Sequence, residues 1–199
     1  PAGNNPKERT FIGSINSRPD VRLFLVFGPD ESAVADVADA LAAQMPADAE
    51  RIDIDSDRIR NDPALLADEA SSLSLFGGAR YIRLTIRREE GVAAIENLLE
   101  LDSGNIVIAT AGNLTKVSKL RKLAEGSKRA LTHICYVPNE GEAAAAIMAA
   151  AAAEGLKLDR ALAARMARYT GQDRKLAAME VEKLALYHDS SPERPVTVT

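Results

Sequence analysis

The chain has 199 residues, 46% of them hydrophobic, with a formal net charge of −4 and a single cysteine. This length allows one large domain or two modest ones, and the composition is that of a globular protein. The charge argues against nucleic-acid binding through bulk electrostatics, so any DNA contact would need a local basic patch.

Membrane and secreted classes are also disfavoured. The longest apolar run, around residues 143–153, is short for a membrane span and consists mainly of alanine. The first ten residues include Lys7, Glu8 and Arg9 and no apolar stretch, so we expect no secretory signal. The single Cys135 cannot form an internal disulfide, which fits a reducing environment. We therefore expect a cytoplasmic protein.

Predicted strands and helices alternate along the first two-thirds of the chain. Apolar or alternating segments predict five strands, at residues 22–27, 51–55, 80–86, 105–110 and 130–137. Helical spacing, with caps at Asp30 and at Asp62 before Pro63, predicts helices at 31–45, 63–73, 92–101 and 115–125. This order predicts an α/β domain with a five-stranded parallel sheet and helices on both faces.

The pattern changes near residue 138, at the sequence PNEG. Three helices are predicted beyond it, at 142–154, 159–170 and 172–187, with Gly155 and Gly171 between them. Large apolar residues align on the last helix, among them Leu176, Met179 and Tyr187. We therefore expect an α/β domain over residues 1–138 and a small three-helix domain over 139–199. The final stretch, SPERPVTVT, is polar and is expected to have no core of its own.

The turn after the first predicted strand is where a phosphate-binding loop would lie. The sequence there, GPDESAVADVA, has Gly28 but no second glycine and no Lys–Ser/Thr pair. Asp30 and Glu31 stand at the start of the following helix, where their charge favours the helix end but repels a phosphate. A capped core helix is therefore a better interpretation than a nucleotide site.

Metal and nucleophile chemistry are not predicted either. His133 and His188 have no cysteine or acidic neighbour at metal-binding spacing. Cys135 shares a strand face with His133, and burial in a strand usually makes such a cysteine inert. We expect no metal, no cofactor and no catalytic activity.

The stretch SLSLFGGAR, residues 72–80, breaks the periodicity of its neighbours. Leu75 and Phe76 are adjacent and stand directly before Gly77 and Gly78, whereas a core helix would space them and a core strand would alternate them. Two interpretations stay open: the pair turns inward and closes the end of the sheet, or it projects into a pocket of another protein. Burial of one Leu and one Phe would supply roughly 3–6 kcal/mol.

A basic stretch provides the best local patch for DNA phosphates. Its members are Lys116, Lys119, Arg121, Lys122, Lys128 and Arg129. Lys116, Lys119 and Lys122 are three positions apart and could form one exposed helical stripe. The alternative is an ordinary solvated helix face, which amphipathic helices routinely carry.

Four stretches, in their order and spacing, resemble the delta-subunit family of the bacterial DNA polymerase III clamp loader. They are LFLVFGPDE (23–31), EASSLSLFGGARYIRL (69–84), NLTKVSKLRKLAEGSKRA (113–130) followed by CYVPNE, and YTGQDRKLAAMEVEKLALY (169–187). Together they cover essentially the whole chain.

The resemblance implies an AAA+-type fold that has lost ATPase activity, followed by a small lid-like domain. It implies that Ser74, Leu75 and Phe76, together with Leu73, form a hydrophobic wedge. In the family this wedge enters a pocket of the ring-shaped beta sliding clamp and opens the ring for processive DNA replication.

The same resemblance implies further partners and a missing domain. The partners are the loader's ATPase and delta-prime subunits and primer–template DNA, with Lys116, Lys119, Lys122 and Arg121 as possible DNA contacts. The family complex belongs to a DNA polymerase, a nucleotidyltransferase, but this subunit is expected to be non-catalytic. The family's C-terminal collar domain is expected to be absent from this chain. Two rival interpretations stay open: a P-loop-type NTPase with a degenerate loop, and a non-catalytic interaction scaffold that buries Leu75 and Phe76 in its own core.

Overall fold

The computed structural model describes residues 7–74, 77–87, 89–171 and 173–198. The strands are β1 (Leu23–Phe27), β2 (Glu50–Asp55), β3 (Arg80–Ile86), β4 (Ile106–Ala111), β5 (Ala130–Ile134), β6 (Leu156–Leu158) and β7 (Val196–Val198). The helices are α1 (Glu8–Ser17), α2 (Glu31–Ala42), α3 (Ser56–Asn61), α4 (Leu65–Ser71), α5 (Val92–Glu100), α6 (Lys119–Gly126), α7 (Glu140–Ala153), α8 (Arg160–Tyr169) and α9 (Arg174–His188). The chain divides between Tyr136 and Val137 into two compact units.

The first unit is built on a five-stranded parallel sheet in the order β2-β3-β4-β1-β5. All five residues of β1 are buried, because this strand lies between β4 and β5 and is covered on both faces. That location explains why its sequence is continuously apolar rather than alternating. The predicted five-stranded parallel sheet is confirmed.

Helices cover both faces of this sheet, as predicted. Leu23, Leu25 and Phe27 of β1 belong to one core cluster, together with residues of α3, α4, α5 and α6. Phe24 and Val26 belong to the other, with residues of α1 and α2. The alternation of side chains along a strand thus divides one apolar run between two cores.

Helix α1 was not predicted, although it packs on the same face of the sheet as α2. Its Phe11 is fully buried, with its ring 5.8 Å from that of Phe24 and stacked at 5.2 Å on that of His133. Only Phe11 and Ile15 of the helix are buried, so its apolar face is too short to produce a clear helical period.

The predicted helix over 63–73 is wrong in its bounds. Two short helices, α3 and α4, occupy residues 56–61 and 65–71. Asp62, predicted as a cap that opens a helix, instead follows the last residue of α3, and its carboxylate accepts a hydrogen bond from the amide of Ala64 at 3.1 Å. Helix α3 is capped by Asp55, whose carboxylate accepts from the amide of Arg58 at 3.0 Å.

The second unit contains the three predicted helices, as α7, α8 and α9, and also two short strands that were not predicted. Strands β6 and β7 pair in parallel, with Leu156 opposite Val196 and Leu158 opposite Val198. Val198 packs against the core of this unit. The final stretch, expected to have no core of its own, thus forms an unpredicted strand that pairs with β6 and packs against the core of this unit.

The core of the second unit consists mainly of small side chains. Its fully or nearly buried members are Ala143, Ala144, Ile147, Ala151, Leu156, Leu158, Ala163, Ala167, Ala177, Val181 and Ala185. The large residues aligned on α9 lie elsewhere: Leu176, Met179 and Tyr187 are exposed. The alanines let the helices approach closely, and these three larger side chains of α9 stay outside the core.

Within the described ranges, no helix combines the length and apolar character that a bilayer span requires.

Candidate functional site

The predicted wedge falls in the segment that joins α4 to β3, residues 72–79, here called the α4–β3 segment. Leu75 and Phe76 lie outside the described residues. Leu73 is 90% exposed. The amide of Gly77 donates to the carbonyl of Ser74 at 3.2 Å, and Gly77 has a φ of +72°, a value that glycine adopts readily.

The α4–β3 segment leads into the first residue of β3. Because the five strands are parallel, it lies at the edge of the sheet where the strands begin. The Gly28 turn follows β1 and therefore lies at the opposite edge, where the strands end. The candidate wedge and the position expected for a nucleotide are thus on opposite edges of one sheet.

The side of the segment that follows α4 is fixed by Asn105. The side-chain amide of Asn105 donates to the carbonyl of Ser72 at 2.7 Å, and its backbone amide donates to the carbonyl of Ala70 at 2.7 Å. The preceding Gly104 has a φ of +150°, and a Cβ there would stand 2.9 Å from the carbonyl oxygen of Ala70. The end of α4 therefore rests tightly on the backbone that enters β4.

The side that enters β3 is fixed by charge and by the neighbouring strand. The guanidinium of Arg80 pairs with Glu69 of α4 at 2.5 Å, and its Nε lies 3.9 Å from the carboxylate of Glu50. The amide of Glu50 donates to the carbonyl of Ala79 at 2.9 Å. Both ends of the α4–β3 segment are thus held, while Leu73 is exposed to solvent.

Asn105, Glu69 and Arg80 were not singled out from the sequence. A polar residue before a buried strand and an arginine at the start of another are too common to mark a site. The only available signal was position: Glu69 and Arg80 flank the predicted wedge in the sequence, and Asn105 is the first residue of a predicted strand.

The Gly28 turn has little room for a phosphate. Only Gly28, Pro29 and Asp30 connect β1 to α2. The carboxylate of Asp30 accepts a hydrogen bond from the amide of Ala33 at 2.9 Å, so it occupies the helix end as a cap. A Cβ on Gly28 would stand 2.0 Å from the carbonyl oxygen of Cys135, which shows how closely the end of β5 approaches this turn.

The candidate basic residues do not form the single stripe that their spacing predicts. Lys116, Lys119 and Lys122 are exposed, but α6 begins at Lys119, so Lys116 lies in the turn before the helix.

The expectation for Arg121 needs correction. Its Nε donates to the carboxylate of Glu125 at 2.7 Å, and its guanidinium lies 5.2 Å from the ring centroid of Phe27. Arg121 is therefore a buried structural residue.

An acidic residue stands at the start of α6. The carboxylate of Glu89 accepts from the amide of Leu120 at 3.1 Å. A hydrogen bond from Ser118 lowers the pKa of Glu89, as do the amides of Leu120 and Lys119, while desolvation opposes them. Glu89 therefore places a negative charge beside the candidate patch.

No metal site emerges from the residues described: nowhere among them do three or more His, Cys, Asp or Glu side chains come together as metal ligands would.

Solved structures of other proteins share this fold. The DNA clamp loader delta protein of Bacillus subtilis, YqeN, aligns with a TM-score of 0.62 at 12% identity, over 96% of this chain and 60% of that protein. A mutant of RuvB from Thermotoga maritima aligns with a TM-score of 0.50 at 12% identity, over 93% of this chain and 63% of that one. No protein-family model and no curated protein sequence matches the chain.

The chain shares its α/β fold with the clamp loader delta protein of Bacillus subtilis. It spans 60% of the length of the Bacillus subtilis protein. At 12% identity this likeness establishes the fold alone, and function has to be argued from the site.

Proposed function

We propose that this chain is a delta-type clamp-loader subunit, which binds the beta sliding clamp through Leu73, Ser74, Leu75 and Phe76. One observation carries the proposal: Leu73 is 90% exposed in a segment that is held at both ends, on a fold shared with a clamp loader delta protein. The adjacent Leu75 and Phe76 would extend this apolar surface. A wedge of this kind needs large apolar side chains that contact the partner and a backbone that is held in place at both ends.

Clamp binding would open the ring by differential affinity. A ligand shifts an equilibrium between closed and opened rings only if it binds the opened interface more tightly. The wedge would supply roughly 3–6 kcal/mol by burial of one Leu and one Phe. Micromolar affinity requires about 8 kcal/mol, so neighbouring surface must contribute as well. The exposed residues of α4, such as Asp68 and Ser71, lie next to the wedge and are candidates.

The proposal includes no ATP hydrolysis by this chain. The short Gly28 turn and the Asp30 cap at α2 support this part, because a phosphate there would meet a carboxylate already bound to the amide of Ala33. Energy for loading would then come from the loader's ATPase subunits. Contacts with those subunits, with delta-prime and with primer–template DNA, and a cytoplasmic location, belong to the same proposal.

Replacement of Leu75 and Phe76 by Ala tests the wedge. We expect binding to a beta sliding clamp, measured by surface plasmon resonance, to weaken at least tenfold, since about 1.4 kcal/mol corresponds to a factor of ten. Val117→Ala provides a matched control, because Val117 is an apolar residue that is 77% exposed elsewhere in the same unit.

Affinity unchanged within twofold in the double variant would eliminate the wedge. If the double variant instead loses several degrees of melting temperature, the two side chains belong to the protein's own core, as the scaffold interpretation requires.

A further inference from the structure

A charged cluster lies at the base of the α4–β3 segment. Arg80 is the first residue of β3, Glu69 lies in the last turn of α4, and Glu50 is the first residue of β2. The side chain of Arg80 is only 9% exposed, and those of Glu69 and Glu50 are 26% and 21% exposed. Three partly or largely buried charges thus meet where the segment begins and ends.

The Glu69–Arg80 pair spans the two ends of the segment directly. The residues are eleven positions apart, and Arg80 Nη2 lies 2.5 Å from Glu69 Oε2. A buried guanidinium is costly unless it is paired, so this contact is held firmly. The ion pair thus adds a direct link between the end of α4 and the start of β3 to the separate bonds that hold each of these ends.

Glu50 contributes charge without a hydrogen bond to Arg80. Arg80 Nε lies 3.9 Å from Glu50 Oε1, beyond hydrogen-bond range. Arg80 Nε and Glu50 Oε2 are both buried without a hydrogen-bond partner in the described part of the chain. The geometry of Arg80 is therefore adapted to Glu69, and Glu50 is a second carboxylate within reach.

We infer that the Glu69–Arg80 ion pair is a positioning device that holds the α4–β3 segment in its clamp-binding conformation. The inference rests on the proposed function. The pair does not touch the clamp; it keeps the two ends of the segment at a fixed spacing, so that the apolar residues between them are presented before the partner arrives. Asn105 supports the same conformation from the side of α4.

A positioning role has a kinetic signature that differs from that of a contact residue. If only a fraction of molecules is competent to bind, the apparent affinity falls by that fraction, and so does the association rate constant. Loss of a contact residue acts mainly on the dissociation rate constant. Removal of the ion pair should therefore slow association, whereas removal of Leu75 and Phe76 should speed dissociation.

Glu69→Gln tests the inference, with Glu125→Gln as a matched control. Glu125 also pairs with a largely buried arginine in the same unit, and the exposures of that pair are 26% and 11%. Both variants remove one negative charge without changing shape. We expect similar losses of melting temperature, but only Glu69→Gln should lower the association rate constant for a beta sliding clamp, by about 3–10-fold, with dissociation unchanged. Equal effects of the two variants, or no effect of Glu69→Gln, would overturn the inference.

Hydrogen exchange without any clamp separates this inference from the proposed function. We expect Glu69→Gln to speed exchange of the amides of residues 73–79, and Glu125→Gln to leave them unchanged. If the wild-type chain does not bind the clamp, the proposed function and the clamp-binding role of the ion pair both fail, and faster exchange would then show only that the pair orders the α4–β3 segment. Unchanged exchange would refute the positioning role. Should Glu69→Gln not fold, Arg80→Lys keeps the positive charge but removes the planar guanidinium group. The association rate constant and the hydrogen exchange of residues 73–79 then provide the same test.

Discussion

Gly28 lies so close to Cys135 that a Cβ built on Gly28 would stand 2.0 Å from the carbonyl oxygen of Cys135. This contact joins the end of β1 to the residue that follows β5. Gly28 also has a φ of +149°, which disfavours any residue with a side chain. The glycine that resembles the start of a phosphate-binding loop is therefore required here by packing.

We expect Gly28→Ala to lower the free energy of unfolding by about 3 kcal/mol or more, through backbone strain and overpacking together. Gly126→Ala is the control, because a Cβ there meets nothing within 4 Å and the residue ends α6. The control should be neutral, or stabilising by up to about 1 kcal/mol. Urea unfolding of both variants measures the difference. Equal stabilities would show that the close approach is not maintained in solution.

The five strands of the first unit were predictable because strand burial produces continuous or alternating apolar runs in the sequence. β1 and β4 are continuous apolar runs, and β2 and β3 alternate in part, so their periods identify them. The parallel order followed from the intervening helices. The cap at Asp30 was also correct, since aspartate before an apolar helix has a direct physical role.

Features that depend on distant contacts could not be predicted from the sequence. Arg121 was grouped with surface lysines because its neighbours are basic, but its contact with the ring of Phe27, far away in the sequence, places it inside. The bonds from Asn105 to the end of α4 depend on how β4 approaches that helix. The hydrophobic periodicity of the sequence around Asn105 gives no information about this packing.

Phe11 provides a test of helix α1. We expect Phe11→Ala to destabilise the protein by about 3–5 kcal/mol, because the ring is fully buried against Phe24 and His133. Arg9→Ala on the exposed side of the same helix should change stability by less than about 0.5 kcal/mol. Thermal unfolding measures both. A small effect of Phe11→Ala would mean that α1 does not dock on the sheet.

The exposed lysines allow a test of DNA binding. If Lys116, Lys119 and Lys122 contact phosphates, each contributes roughly 0.9 to the magnitude of the slope of log binding constant against log salt concentration on duplex DNA. Replacing all three by Gln should therefore reduce the magnitude of this slope by up to about 2.7. Fluorescence anisotropy with a primer–template probe at several salt concentrations measures the slope. Glu180→Gln leaves this patch untouched and should not flatten the slope. Salt-independent or absent DNA binding by the wild-type chain would identify the lysines as ordinary surface.

Glu89 makes the stability of the first unit depend on pH. Hydrogen bonds from Ser118 and from the amides of Leu120 and Lys119 lower its pKa from the ordinary value of 4.5. A carboxyl whose pKa is lower in the folded state stabilises the fold fully above its unfolded pKa, and the stabilisation is lost as the pH falls through the folded pKa. The melting temperature of the wild type should therefore fall more steeply below pH 4.5 than that of Glu89→Gln. Parallel curves would show that the contact at the start of α6 carries no net stability.

The second unit should tolerate change on its surface but not in its alanine core. Ala167 of α8 is fully buried among small residues, so Ala167→Leu inserts a side chain where the helices approach closely. We expect a loss of about 1–3 kcal/mol from overpacking. Met179 is 53% exposed, and Met179→Ala should change stability by less than about 0.5 kcal/mol. Urea unfolding of the two variants compares the two faces. If Met179→Ala is the more damaging change, the large residues of α9 form the core, and the arrangement of this unit is wrong.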